Sequence, residues 1–194
     1  MIAILRYNAG NSASVRYAVE RLGYACTVTD DPKVIRMAEK VIFPGVGAAG
    51  TAMQYLKSKE LDKVICSLTQ PVLGICLGLQ LLCAHSDEDD TPCLGIFDAK
   101  VKRFPPKGLV PHTGWNQIHL LDRHAPLLQN ISNNHYFYFV HSYYAEINQC
   151  TSATTDYLIS FSAVMEKDNF FATQFHPEKS ASPGALILSN FLKL

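Results

Sequence analysis

Short apolar runs alternate with segments of helical spacing from Met1 to Ala84, and this alternation limits the fold more than any other feature. Met1–Tyr7, Tyr24–Thr29, Lys40–Phe43 and Pro71–Ile75 read as strands. Ser12–Leu22 places Val15, Ala18, Val19 and Leu22 at helical spacing, with Gly23 where a helix C-terminal glycine belongs. Asp30-Asp31-Pro32 has the form of a helix start, a capping Asp ahead of a first-turn Pro. Two helical segments fit between Ala48 and Leu68, and Leu77–Ala84 reads as a helix directly after the fourth strand. Strands separated by helices pair in parallel, and strands this apolar are covered on both faces.

The second half is richer in strands. Ala99–Phe104, Asn116–Leu120, His135–Val140, Tyr143–Ile147, Tyr157–Val164 and Phe170–Phe175 fit the pattern. Pro105-Pro106 and Pro111 mark loops, and a helix over Ala185–Leu192 closes the chain. The expected architecture is α/β. It has an open, mainly parallel sheet with helices on both faces and additional antiparallel strands, in one domain spanning 1–194.

Composition removes several function classes. Lys+Arg and Asp+Glu each number 17 among 194 residues, so no basic face awaits nucleic acid. The densest charge run, Asp87-Glu88-Asp89-Asp90, is acidic and reads as a solvated loop. Met1–Leu5 meets Arg6 too soon for a signal-peptide core, and no apolar run is long enough to cross a bilayer. Cys26, Cys66, Cys76, Cys83, Cys93 and Cys150 include no C-x-x-C pair, which suits reduced thiols in the cytoplasm. His85 and His124 fall in polar loops, His119 and His135 flank strands, and His112 and His141 fall in loops. No His/Cys cluster has metal-ligand spacing, so neither metal nor cofactor is expected.

One cysteine stands apart. Gly74-Ile75-Cys76-Leu77-Gly78 joins a strand to a helix in the nucleophile-elbow pattern, with Cys in the serine position. The glycines allow the close backbone approach that a tight strand–turn–helix needs. The helix N-terminus favours a thiolate, and the Leu77 N–H points where an oxyanion would form. The plain alternative is a buried cysteine in a glycine-containing turn. A thiolate that transfers acyl groups needs a base and an orienting acid. His176-Pro177-Glu178 supplies both: Pro177 keeps His176 extended, and residues two apart in extended chain face the same side.

Together these strings resemble the class I (triad) glutamine amidotransferases. The resemblance rests on Pro44-Gly45-Val46-Gly47, on Gly74-Ile75-Cys76-Leu77-Gly78-Leu79-Gln80 and on Phe175-His176-Pro177-Glu178. Three longer strings resemble the branch that serves imidazole glycerol phosphate synthase: Val110–Asn116, Phe139–Tyr144 and Phe175–Ser180. Amidotransferases that serve anthranilate or aminodeoxychorismate synthesis are the nearest alternative.

The resemblance implies a flavodoxin-like sheet and a catalytic triad of Cys76, His176 and Glu178. It implies an oxyanion site from Leu77 and the strand end Gly45, Val46 and Gly47, where a peptide must be able to reorient. It implies a glutamine site from Gln80, Ser142 and Tyr143, with Glu88 as a further partner for the ammonium group. The implied partner is a (β/α)8-barrel cyclase that receives the ammonia and converts PRFAR to imidazole glycerol phosphate and AICAR, in histidine biosynthesis. Trp115 and Asn11 are then expected at the junction with it. One departure is plain: the family's first strand usually ends in an acidic residue before Tyr-Gly, and this chain has Arg6-Tyr7-Asn8.

Overall fold

The computed structural model of the protein describes residues 1–8, 10–122 and 124–194. The first half contains β1 (Ile2–Leu5), α1 (Ser12–Arg21), β2 (Cys26–Thr29), α2 (Pro32–Met37), β3 (Lys40–Gly45), α3 (Ala49–Ser58), α4 (Leu61–Cys66), β4 (Val72–Cys76) and α5 (Leu77–Leu82). The second half contains β5 (Cys83–Ser86), β6 (Thr91–Pro92), β7 (Phe97–Arg103), β8 (His112–Gln117), β9 (His119–Leu120), β10 (Tyr136–His141), β11 (Tyr143–Ala145), β12 (Thr151–Tyr157), β13 (Ile159–Lys167), β14 (Phe170–Thr173) and α6 (Ala181–Leu192).

The central sheet runs β2-β1-β3-β4-β14-β13-β12-β9. From β2 to β14 the pairings are parallel, and beyond β14 they are antiparallel. A four-stranded sheet, β11-β7-β5-β6, and a two-stranded ribbon, β10-β8, lie beside it. This is the expected open α/β sheet with an antiparallel extension.

Period-two alternation explains how both faces are covered. Ala3, Leu5, Val41 and Phe43 pack with Ile35, Leu56, Val64 and Leu79 of α2 to α5. Ile2, Ile4, Ile42, Leu73 and Ile75 pack with Val15 and Val19 of α1 and Ile187 and Phe191 of α6. Each strand therefore feeds two cores, which is why its residues read as a continuous apolar run. The Asp31 cap forms as its sequence suggests, its side chain accepting from the Lys33 N–H at 2.8 Å.

Two expectations are corrected, and one strand is additional. The helix after the elbow ends at Leu82 rather than Ala84. Cys83 turns extended and begins β5, paired in parallel with Phe97 of β7, so sheet pairing overrides the helical pattern. Asn116–Leu120 divides into β8, which begins earlier at His112, and the two-residue β9. Thr151–Tyr157, which has too few apolar residues to read as a strand, is β12. Its buried hydroxyls have partners: Thr151 Oγ1 with Ser162 Oγ at 2.8 Å, and Thr155 Oγ1 donating to the Gln117 carbonyl at 2.6 Å.

The elbow's glycines are set by close contacts. A Cβ on Gly78 would run into the Phe43 carbonyl, and one on Gly74 would lie 2.8 Å from Leu82 Cδ1 and 3.0 Å from the Gly78 backbone. Helix α5 is thus seated directly on β3 and β4. Gly78→Ala should therefore cost about 1–3 kcal/mol of stability as an overpacked contact. Urea denaturation measures this, and an unchanged midpoint would mean that α5 does not bear on β3.

Candidate active site

Cys76 is the last residue of β4 and sits at φ 53° and ψ −105°, outside the regions that side-chain-bearing residues favour. The thiol is 5% exposed and opens onto a pocket of about 310 Å³. Val46, Gly47, Leu77, Gln80, Glu88 and Tyr143 are among its lining residues, and the His141-Ser142 step closes another side. Parallel pairing sets Gly45 opposite Cys76, which brings the β3 strand end to the nucleophile. Gly47 has φ +120°, a conformation that leaves glycine little competition. A Cβ at Gly45 would strike the Tyr7 hydroxyl, which is buried and finds no hydrogen-bond partner among the described residues.

His176 follows β14, the strand paired with β4 through Thr173↔Ile75. The His176 N–H donates to the Tyr138 carbonyl at 2.9 Å, and Ser180 Oγ donates to the His176 carbonyl at 2.6 Å. The ring is fully buried and holds Glu178 Oε1 with Nδ1 at 2.8 Å. Nε2 is buried with no hydrogen-bond partner among the described residues. Burial opposes a charged ring here. The Cys76 thiolate and the Glu178 carboxylate outweigh it and raise the His176 pKa. The site therefore favours a protonated His176 ring beside Cys76.

Two side chains absent from the motifs complete this array. Gln174, fully buried, donates from Nε2 to Cys76 Sγ at 3.6 Å and accepts from Gln80 Nε2 at 3.1 Å. Its signal was available: a lone amide in an apolar strand, two residues before His176 and so on the same side. Asn11 donates from Nδ2 to Glu178 Oε1, the oxygen that also holds His176. The residue expected at a junction with a partner thus also reaches the carboxylate of this array. Asn11 has φ 78° at the start of α1, and its amide points inward.

The remaining expected residues fall as follows. Gln80 is buried, lines the pocket and donates to the Tyr143 carbonyl at 2.9 Å. Glu88 is half-buried, unlike its exposed neighbours Asp87, Asp89 and Asp90. Glu88 Oε2 accepts from the Ala49 N–H at 2.8 Å at the head of α3. Burial pushes its pKa up, and the Ala49 N–H acts against that. Trp115 is 53% exposed on β8, edge-on to Tyr138. Arg6 pairs with Asp30, which also accepts from the Tyr55 hydroxyl. Of the cysteines, Cys76 alone lines this pocket. No group of three or more His, Cys, Asp or Glu with metal-binding geometry occurs among the described residues.

His112 and His141 are not loop residues. They face each other across the β8–β10 ribbon and are nearly fully buried. Burial lowers their pKa values to about 4 and about 3.

A nucleophile on a strained strand end, an imidazole held by a carboxylate and a small pocket suit acyl transfer through a thioester. The family model for glutamine amidotransferase class-I matches residues 5–194. The chain belongs to the class-I glutamine amidotransferase family. This amidotransferase is 52% identical to "Imidazole glycerol phosphate synthase subunit HisH" of Bacteroides fragilis strain YCH46, with 100% of the chain and 99% of the relative covered. The HisH subunit of Pasteurella multocida strain Pm70 is 47% identical, with 99% and 97% covered. Among solved structures, the crystal structure of a glutamine amidotransferase superposes with TM-score 0.75 at 15% identity, covering 99% of this chain and 97% of that one. PurLQS from Thermotoga maritima gives 0.71 at 14% identity, covering 99% and 97%. These two likenesses concern the fold.

His112 and His141 each make an acid-sensitive contribution to stability, which the raised pKa values of His176 and Glu166 oppose. His112 and His141 bind a proton near pH 6.5 when unfolded but not when folded. Their contribution is complete above that pH and is lost as pH falls toward about 4 and about 3. At pH 5 the loss is about 2 kcal/mol for each, relative to pH 7.5. Replacing His112 by Phe should reduce the drop in stability between these pH values by about that amount. Glu166, pushed up to about 7 by burial, acts oppositely in both chains and cancels from the comparison. Equal drops in the two chains would show that His112 titrates normally.

Proposed function

We infer that this chain is the glutamine-hydrolysing subunit of imidazole glycerol phosphate synthase. It releases ammonia for a (β/α)8-barrel cyclase subunit that makes imidazole glycerol phosphate and AICAR from PRFAR, in the cytoplasm. The observation that carries this reading is the Cys76, His176 and Glu178 array in a chain similar to HisH subunits along its whole length.

The Cys76 thiolate attacks the side-chain amide carbon of glutamine. The oxygen becomes negative in the tetrahedral intermediate and is held by the Leu77 N–H and an N–H of the Gly45–Gly47 segment. His176, carrying a proton because the thiolate and Glu178 favour it, gives that proton to the leaving ammonia. The carbon–nitrogen bond breaks and a glutamyl thioester remains. His176, now neutral, takes a proton from water, whose oxygen attacks the thioester and releases glutamate. Glu178, held in turn by Asn11, keeps the ring aimed through Nδ1. Gln174 donates to the sulfur throughout. Glutamine lies in the pocket against Gln80, Glu88, Ser142 and Tyr143. Exposed Trp115 lies on the surface that meets the cyclase.

Mixing the chain with the cyclase and its nucleotide ligand should strongly stimulate glutamate release. Unchanged turnover, or no complex in sedimentation, would overturn the assignment. Cys76→Ala should lower glutamine-dependent synthesis at least about 10³-fold. Synthesis from added ammonia should survive in the same assembly. Residual glutaminase activity in the variant would remove Cys76 from its role.

A further inference from the structure

Four polar groups, two of them buried histidine rings, form a chain with only one consistent proton arrangement. The Tyr143 carbonyl only accepts, so His141 Nδ1, 2.7 Å away, is the donor. Kept neutral by burial, His141 must then accept at Nε2, and His112 Nδ1, 3.1 Å away, donates to it. His112 Nε2 is left as the acceptor facing Asn116 Nδ2 at 3.4 Å. Every donor points from Asn116, beside the exposed Trp115, toward the pocket wall.

Backbone pairing ties that wall through the Ser142 carbonyl, which accepts from the Phe104 N–H at 3.1 Å, and leaves the Tyr143 carbonyl to side chains. β10 ends at His141 in the two-stranded ribbon, and β11 begins at Tyr143 in the four-stranded sheet. Ser142, which lines the pocket, is the residue at which the chain changes sheets. The His141 side chain bridges this step by bonding to the carbonyl two residues ahead. Gln80 Nε2 takes the second lone pair of the same carbonyl at 2.9 Å. The Tyr143 carbonyl is therefore saturated. His112 is fixed in turn between Tyr157 and Phe139, stacked at 4.0 Å and 4.9 Å.

We propose that His141, held by His112, is a positioning residue that sets the Ser142–Tyr143 wall of the pocket for glutamine. It touches no reacting atom and acts by fixing backbone that binds substrate and transition state alike. This rests on the reading of the pocket as a glutamine site.

Two variants separate hydrogen bonding from packing. His141→Phe keeps the ring and loses the donor, whereas His141→Asn loses ring volume and keeps an N–H near the Nδ1 position. In the assembly with the cyclase, His141→Phe should raise the KM for glutamine about tenfold, with kcat within about threefold of wild type. His141→Asn should return KM to within about threefold of wild type. A native KM in the Phe variant, or a worse KM in the Asn variant than in the Phe variant, would overturn the proposal. A second readout needs no activity. Nitrogen-15 NMR of the wild-type chain should show both imidazoles as neutral Nδ1–H tautomers, and an Nε2–H tautomer at His141 would overturn the proposal. If wild-type chain and cyclase release no glutamate while the tautomers are as expected, the functional reading fails and the positioning chain stands.

Discussion

Cys76 sits in a backbone conformation that costs a non-glycine residue about 1–3 kcal/mol, and the surrounding contacts must hold it there. The seat of α5 does this. Gly78 lies against the Phe43 carbonyl and Gly74 against Leu82 and Gly78, so the helix starts immediately after the sulfur with no slack. From that point the rest of the site is placed. Gly45 pairs with Cys76, Leu77 heads the helix, and Gln80 comes one turn later on the pocket wall.

Buried polar groups around the sulfur are linked rather than isolated. Gln80 reaches both the Tyr143 carbonyl and Gln174, and Gln174 reaches Cys76. On the other side, Asn11 and His176 share one oxygen of Glu178. A buried polar group without a partner is costly, so these links restrict the side chains to few arrangements. The Tyr7 hydroxyl, His176 Nε2 and Glu178 Oε2 are exceptions, without partners among the described residues. Unpaired groups of this kind belong where atoms move or ligands enter.

Much of this was legible in the residue pattern, for physical reasons that differ from place to place. The apolar runs of β1, β3 and β4 were plain because both faces of each strand are buried. The elbow was plain because only glycine fits twice in five residues at such close range. His176 and Glu178 were paired by extended-chain geometry alone. β12 was hidden because its buried positions are mostly hydroxyl-bearing, and the Thr151 and Thr155 hydroxyls are satisfied by partners from β13 and β8. The inward turn of Asn11 and the His112–His141 pair were hidden because their partners lie 167 and 29 residues away in the chain. No local rule links such positions.

The two halves of the catalytic array sit on neighbouring strands, yet Cys76 ends β4 and His176 follows β14, which comes into the sheet between β4 and β13. Every antiparallel strand of the second half is made before the sheet can close at that seam. A growing or shortened chain that stops before β14 carries the thiol without its base. In such a copy the proposed nucleophile and the proposed base never meet, because the β14–β4 pairing is what brings them together.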